Sequence, residues 1–227
     1  MQIKQATLET CHSATSAVVA IDVIRAFTTA AYAFAAGARD IVLVGTVEEA
    51  LALRERFPGA LIMGEMEGLP VASFDFDNSP SELAGLDLSG RRLIHRTSAG
   101  TQGIVRSIRA EILLASSFVC AGATARYLKQ HAPETITFVI TGIVYNRDGD
   151  EDRACADYIS ALLRGEQPDV VPFIQRVYES TAGRIFTDPS QPEYSLGDLE
   201  RCVEVDRFDF ALLVERRDGL LVMRAIL

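Results

Sequence analysis

The chain has 227 residues, 48 % of them hydrophobic and 23 % charged, enough to bury one sizeable core or two fused lobes and too apolar for a disordered polymer. A net charge of -9 with a pI near 4.9 excludes nucleic-acid binding by broad neutralisation of backbone phosphates, so positive charge that meets an anion must be concentrated locally. Cys11, Cys120, Cys155 and Cys202 lie far apart, without the paired spacing of a zinc site or a disulfide framework, which fits a reducing cytoplasm.

In chain order, no apolar stretch with a small-residue cleavage site follows Met1, so no secretory signal is expected. The most apolar region, 17–38, is interrupted by Asp22 and Arg25 and falls short of a membrane span. Short β-branched runs at 16–23, 41–44, 61–63, 93–95, 112–115 and 136–141 predict buried strands. Between them, 27–36, 47–57, 102–108, 123–131 and 152–164 read as helices. Thr46 is the expected N-cap of the second, with Glu48 and Glu49 at the positive end of its dipole. Segment 169–179 suggests a further helix and 187–192 a loop. Runs 210–215 and 220–225 flank Asp218-Gly219, a hairpin signal. Strands alternating with helices predict an α/β fold, a three-layer α/β/α arrangement with a mixed, mostly parallel sheet.

One spacing repeats. Arg25 precedes the run starting at Ile41 by sixteen positions, and Arg96 precedes that starting at Ile112 by the same sixteen. The units near 17–45 and 92–116 reflect either an old duplication, giving two similar intertwined lobes, or the regular rhythm of a single α/β domain. Either way both arginines belong near the carboxyl ends of strands, where open α/β sheets place ligands.

Three polar groups carry candidate chemistry. Asp22-Val23-Ile24-Arg25 closes a strand; the bland reading is a satisfied ion pair, the functional one assigns Asp22 to a metal and Arg25 to an oxyanion, because guanidinium matches phosphate bidentately. Segment 64–80 gathers Glu65, Glu67, Asp75, Asp77, Asn78 and Ser79 between turn residues, either as a solvated loop or as oxygens converging on a cation or phosphate ester. Buried without such a partner, those carboxylates would cost several kcal/mol each. Thr97-Ser98-Ala99-Gly100-Thr101 has the small residues, hydroxyls and following helix of an anion cradle. After the last central strand, Asn146-Arg147-Asp148-Gly149-Asp150-Glu151-Asp152 reads as an exposed acidic loop with Asp150 capping the next helix. Alternatively, Glu151 and Asp152 bind a hard divalent cation or handle protons. His12, His95 and His131 read as a polar-loop residue, a strand residue and a helix end.

Taken together, the Asp-Val-x-Arg-Ala strand end (Asp22 to Ala26), Gly64-Glu65 with Gly68-Leu69-Pro70, Phe74-Asp75 with Asn78-Ser79-Pro80, the Thr97 to Thr101 turn and Glu151-Asp152 resemble the 2-phosphosulfolactate phosphatase family. The resemblance spans roughly 18–163. It implies a magnesium-dependent hydrolysis of the phosphate monoester of a small sulfonated hydroxy acid, a step toward coenzyme M. It further implies Mg2+ on Asp22, Glu65, Asp75 and Glu151 or Asp152, with Glu151 or Asp152 also the candidate proton donor. Arg25 and the amides and hydroxyls of Thr97, Ser98, Gly100 and Thr101 would hold the phosphoryl group, and Asn78 and Ser79 would orient substrate or a ligating carboxylate. Departures are Ala99 for an asparagine, Met66 for an arginine, and Asp77 and Ser73 for glycines. They motivate the alternative of a non-catalytic anion-binding module of the same fold. A second alternative takes Asp75-Phe76-Asp77 as the Asp-x-Asp nucleophile motif of haloacid-dehalogenase-like phosphatases, although Pro70 interrupts the strand that should lead to it. The expected partner is a small anionic phosphate ester, with no nucleic acid and no membrane; the closing strands complete the sheet or form a homodimer contact.

Overall fold

The computed structural model of the protein describes residues 1–144 and 147–227. Among them, ten strands form one sheet: β1 (Gln2–Ala6), β2 (Ala17–Ile21), β3 (Asp40–Val44), β4 (Leu61–Met66), β5 (Leu69–Pro70), β6 (Arg92–Arg96), β7 (Ile112–Ser116), β8 (Thr135–Ile140), β9 (Ala211–Arg217) and β10 (Leu220–Ile226). The helices are α1 (Ala26–Ala35), α2 (Val47–Arg56), α3 (Pro80–Leu83), α4 (Gly100–Arg106), α5 (Ala121–His131), α6 (Asp150–Leu163), α7 (Val171–Glu179), α8 (Thr181–Thr187) and α9 (Leu196–Cys202).

The strand order is β1-β8-β2-β7-β9-β10-β3-β6-β4-β5. Among the described residues, five ladders are parallel and four antiparallel, which makes the sheet mixed. Two parallel blocks, β1-β8-β2-β7 and β3-β6-β4, are joined through the β9-β10 hairpin. Its two-residue turn puts Asp218 at φ 51° and Gly219 at φ 76°, the pair of positive values that a type I′ turn requires. The matching units noted in the sequence cross between blocks in opposite senses: β2-α1-β3 leaves the first block for the second, and β6-α4-β7 returns.

Strand periodicity divides the core. On β2, Val18 and Ala20 face one cluster while Ala17, Val19 and Ile21 face another, as a side-chain period of two demands. The first cluster lies around α1 and takes residues from both blocks, including Ile41, Met63, Leu93, Leu113 and Val139. The second lies under α5 and α6, and a third, smaller one under α2. Helices therefore cover both faces, and α1 and α4 pack together on the side of the first cluster. Three antiparallel ladders separate β7 from β3, so in a flat sheet the two blocks would point in opposite directions. The carboxyl ends of β2 and β6 nevertheless meet: a Cβ at residue 100, just past β6, would stand 2.8 Å from Oδ2 of Asp22, just past β2, and the twist accumulated over the five strand steps between them contributes to that approach.

Local signals behave as their chemistry dictates. Thr46 accepts the Glu49 amide at 3.1 Å, and the Glu49 carboxylate accepts the Thr46 amide at 3.2 Å, a reciprocal cap of α2. Thr46→Ala should cost about 1 kcal/mol, measured as a lower urea midpoint with an unchanged slope. Asp150 is not the cap of α6; Gly149 occupies that position in the left-handed region at φ 63°, and Asp150 instead receives a bidentate pair from Arg176 of α7. Five elements have no counterpart among the predicted ones: β1, exposed along the sheet edge, the two-residue β5, and the short α3, α8 and α9, each started by a serine side-chain cap.

Candidate active site

The carboxyl ends of β2, β4, β6 and β8 surround a cavity of about 330 Å³, lined by Asp22, Ile24, Arg25, Glu65, Glu67, Gly68, Asn78, Ser98, Ala99, Val144, Arg147, Phe186 and Tyr194. A larger cavity of about 770 Å³ lies at the other end of β1 and β8, among Lys4, Glu111, His131 and Glu134. Among the described residues no buried carboxylate cluster lines it, so the smaller cavity is the candidate site.

Asp22 leaves β2 where the chain turns into α1. One of its oxygens accepts the amides of Ala26 at 3.1 Å and Arg25 at 3.4 Å, taking over the start of a helix that has no other side-chain cap. The other accepts the Thr141 hydroxyl at 3.2 Å. Burial still dominates: it raises the proton affinity of Asp22 to a pKa of about 6, opposed by the Ala26 amide and reinforced by the negative charge of Glu65. Glu65 on β4 binds the amides of Gly68 and Ser98, each at 2.5 Å. It thereby ties the β4-β5 turn to the loop after β6.

Glu151 and Asp152 open α6. Asp152 bridges two turns, accepting the Val23 amide at 2.9 Å and the Gly142 amide at 2.7 Å. Burial, then repulsion from Glu151 and Asp22, holds its carboxyl well above the usual range. Glu151 is 3 % exposed, and its Oε2 has no hydrogen-bond partner among the described residues. Burial pushes it up to about 7, opposed by its own backbone amide and the Ser180 hydroxyl, and Asp22 adds repulsion. Three acids of one sign, with one oxygen unpaired, make a site that asks for protons or a cation.

Arg25 lies 4 % exposed between the rings of Phe186 and Tyr194, 5.3 and 5.7 Å from their centroids. It donates to the Gly68 carbonyl at 2.9 Å and to Asp77 at 3.3 Å, with Asp198 at 3.9 Å. Arg147 also lines the cavity and has no ion pair among the described residues. The loop from β6 approaches Asp22 closely because residue 100 is glycine: a Cβ there would stand 2.8 Å from Oδ2 of Asp22 and 2.7 Å from Cβ of Ala26.

The candidates from the sequence thus separate into those that line the cavity and those that shape it. Asp22, Arg25, Glu65, Asn78 and Ser98 line it, whereas Glu151 and Asp152 are buried behind it and are not part of its lining. Thr97 and Thr101 are buried and clasp one another, with Thr101 Oγ1 accepting the Thr97 amide at 2.9 Å and Thr97 Oγ1 accepting the Thr101 amide at 3.0 Å. Ser79 caps α3 and donates to Asp198 at 2.7 Å, so its hydroxyl is occupied away from the cavity. Asp75 stands apart from the other candidate carboxylates. Its carboxylate accepts the Ile62 amide at 2.8 Å and faces Arg54 at 3.7 Å, outside the cavity lining. The same placement removes it as an Asp-x-Asp nucleophile for a ligand held there. Asn146 lies outside the described residues. Sequence reading passed over Arg147, Phe186, Tyr194 and Asp198; only Arg147, a lone cation in an acidic run, carried any signal.

Buried acids and arginines thus gather around one cavity at the strand carboxyl ends of an α/β protein, a charge arrangement that suits a small anion beside a carboxylate cluster. A family model described as 2-phosphosulpholactate phosphatase matches residues 2–215. The chain is 35 % identical over 202 residues to the probable 2-phosphosulfolactate phosphatase of Bacillus subtilis (strain 168), covering 88 % of this chain and 87 % of that one. It is 34 % identical over 210 residues to the protein of that name from Thermosynechococcus vestitus, covering 83 % and 84 %. With the one from Thermoplasma acidophilum it shares 28 % over 207 residues, covering 90 % and 87 %. The chain belongs to the 2-phosphosulfolactate phosphatase family and, with it, to the phosphoric monoester hydrolases.

Proposed function

We propose that the protein hydrolyses 2-phospho-3-sulfolactate to 3-sulfolactate and phosphate in a magnesium-dependent reaction. The observation that supports this reading most is the unpartnered, buried Oε2 of Glu151 near Asp22 and Asp152, behind a cavity whose lining includes Asp22 and two arginines. Among the described residues no three His, Cys, Asp or Glu side chains form a ready chelating group. The donor chemistry nevertheless suits Mg2+, a hard cation that takes one or two carboxylates and keeps several waters. Asp22 and Glu151 are the residues that would hold it, with Glu65 beside them. When bound, the ion supplies positive charge to phosphoryl oxygens and a more acidic water.

The chain's own residues do the rest. In the reaction, water oxygen bonds to phosphorus, the ester P–O bond breaks and the departing oxygen takes a proton. Arg25, already oriented by Gly68 and Asp77, and Arg147 offer guanidinium donors to anionic oxygens. Ser98, which lines the cavity, offers a hydroxyl. Asp152, with both oxygens on backbone amides, keeps the turns after β2 and β8 in register. A binding module without turnover is less well supported, because anion binding alone gives no reason to bury three mutually repelling acids next to the ligand.

The substrate assignment is tested by comparing kcat/KM for 2-phosphosulfolactate with that for 2-phospholactate, which lacks the sulfonate. A preference of about tenfold or more for the sulfonated ester is expected; equal values would contradict the assignment. Arg25→Ala should weaken competitive inhibition by inorganic phosphate by about tenfold or more, the loss of a charged hydrogen bond. It should also lower the unfolding midpoint, since Asp198 is left buried without its cation. Unchanged inhibition would remove Arg25 from the anion site.

A further inference from the structure

His95 is the one histidine buried in the sheet, fully enclosed on β6 between Leu43 of β3 and Met63 of β4 in register. Its Nε2 lies 3.2 Å from Oδ1 of Asn78. Its Nδ1 is buried with no partner among the described residues. Asn78 is 4 % exposed and reaches the cavity wall beside Asp22, Arg25, Glu65 and Ser98. Its backbone N–H donates to Oδ1 of Asp77 at 2.6 Å.

This geometry selects a tautomer. A neutral imidazole carries one N–H. Were the proton on Nδ1, a buried donor would have no acceptor; on Nε2, only an acceptor lone pair is left over, which folded proteins tolerate better than an orphaned N–H. The proton therefore sits on Nε2 and Oδ1 of Asn78 accepts it, leaving the Asn78 NH2 group for the cavity. No described residue takes a hydrogen bond from that group. Protonating the ring fully would recreate the orphaned donor and add a buried charge, and burial accordingly lowers the His95 pKa to about 3.

We propose that His95 is a positioning residue: as a permanently neutral Nε2–H donor it locks the Asn78 carboxamide with its NH2 toward the cavity, a fixed hydrogen-bond donor for an oxygen of the anionic ligand. An unlocked carboxamide would present its oxygen part of the time and repel the same anion. Only the identity of that anion as a phosphate ester or phosphate rests on the function proposed above; the tautomer and the amide orientation do not.

The first test therefore uses the wild-type protein without ligand. Long-range 1H–15N NMR of its three histidines should show one, assigned to His95 by its absence in His95→Gln, held as the Nε2–H tautomer with no titration between pH 5 and 8. An Nδ1–H tautomer, or titration near 6.5, overturns the proposal. The second reads competitive inhibition by inorganic phosphate. His95→Gln, which restores an amide N–H donor, should stay within about threefold of wild type, while His95→Leu should weaken inhibition by about tenfold. In an Asn78→Ala background His95→Leu should add nothing further, because both changes remove the same donor. Equal losses in His95→Gln and His95→Leu, or additive losses in the double variant, would make His95 a packing residue only. Should His95→Leu fail to unfold cooperatively, the tautomer and His95→Gln still decide the matter. A wild type that releases no phosphate from any ester yet shows the Nε2–H tautomer would overturn the proposed function and leave this positioning role standing.

Discussion

Asp22→Asn is expected to reduce magnesium-dependent phosphate release by at least about 10²-fold, the lower range for removing one electrostatic catalytic group, while leaving a cooperative thermal transition in place. The substitution is close to isosteric. The remaining carbonyl oxygen can still accept the Ala26 amide, and the new NH2 can donate to Thr141 Oγ1, whose own proton then turns from residue 22 to the Ile21 carbonyl at 2.8 Å. What is lost is the negative charge, and the fold does not depend on it, since burial already opposes ionisation of this group. Steady-state kinetics with a melting curve on the same sample separates the roles. Loss of the folded transition would make Asp22 structural, and full activity would remove it from the reaction.

The second large effect is a stability that falls as pH rises when no divalent cation is present. Asp22 moves from an ordinary 3.8 to about 6, and Glu151 from 4.5 to about 7, both chiefly through burial. Between pH 4 and 7 the folded chain then holds protons that the unfolded chain has lost. Folding is therefore favoured at the acidic side of that window, and the advantage disappears as pH rises through the folded values. At about 1.4 kcal/mol per pK unit, either group alone accounts for roughly 3 kcal/mol, and their mutual repulsion keeps the joint loss below the sum. Asp40, held below its usual range by Arg92 despite burial, acts in the opposite sense but only in more acidic solution. Urea unfolding of EDTA-treated protein should give a higher midpoint at pH 5 than at pH 7.5, and millimolar magnesium should recover most of the difference at pH 7.5. A midpoint that is flat or rises with pH, with no response to magnesium, would show that these acids are ionised without cost and hold no cation.

Much of this architecture was readable from local chemistry. The central strands are continuous apolar runs because helices cover both faces, and their sequence signal was correspondingly strong, as on β2, β3 and β8. Thr46 and Asp218-Gly219 likewise carry their structural consequence within a few residues. The exposed edge strand β1 has no such pattern, and α8 and α9 are too short to show a period. At the site, sequence reading found the acids but could not tell a ligand from a cap. Asp75 and Ser79 have the same chemistry as Asp22 and Ser98, and only the fold shows that they end on the Ile62 amide and on Asp198. Contacts made across long stretches of chain were not legible at all. Arg25 sits between Phe186 and Tyr194, which flank the stretch 187–192 that reads as a loop, and the pairing of His95 with Asn78 depends on how β4, β6 and the 71–79 segment stack.

The most direct test of the central claim is phosphate release from 2-phosphosulfolactate by metal-stripped protein, before and after magnesium is added back. The account predicts negligible release without the ion, recovery with it, and no recovery in Asp22→Asn. Release that is indifferent to chelation, or none in either condition from protein shown to be folded, would contradict it.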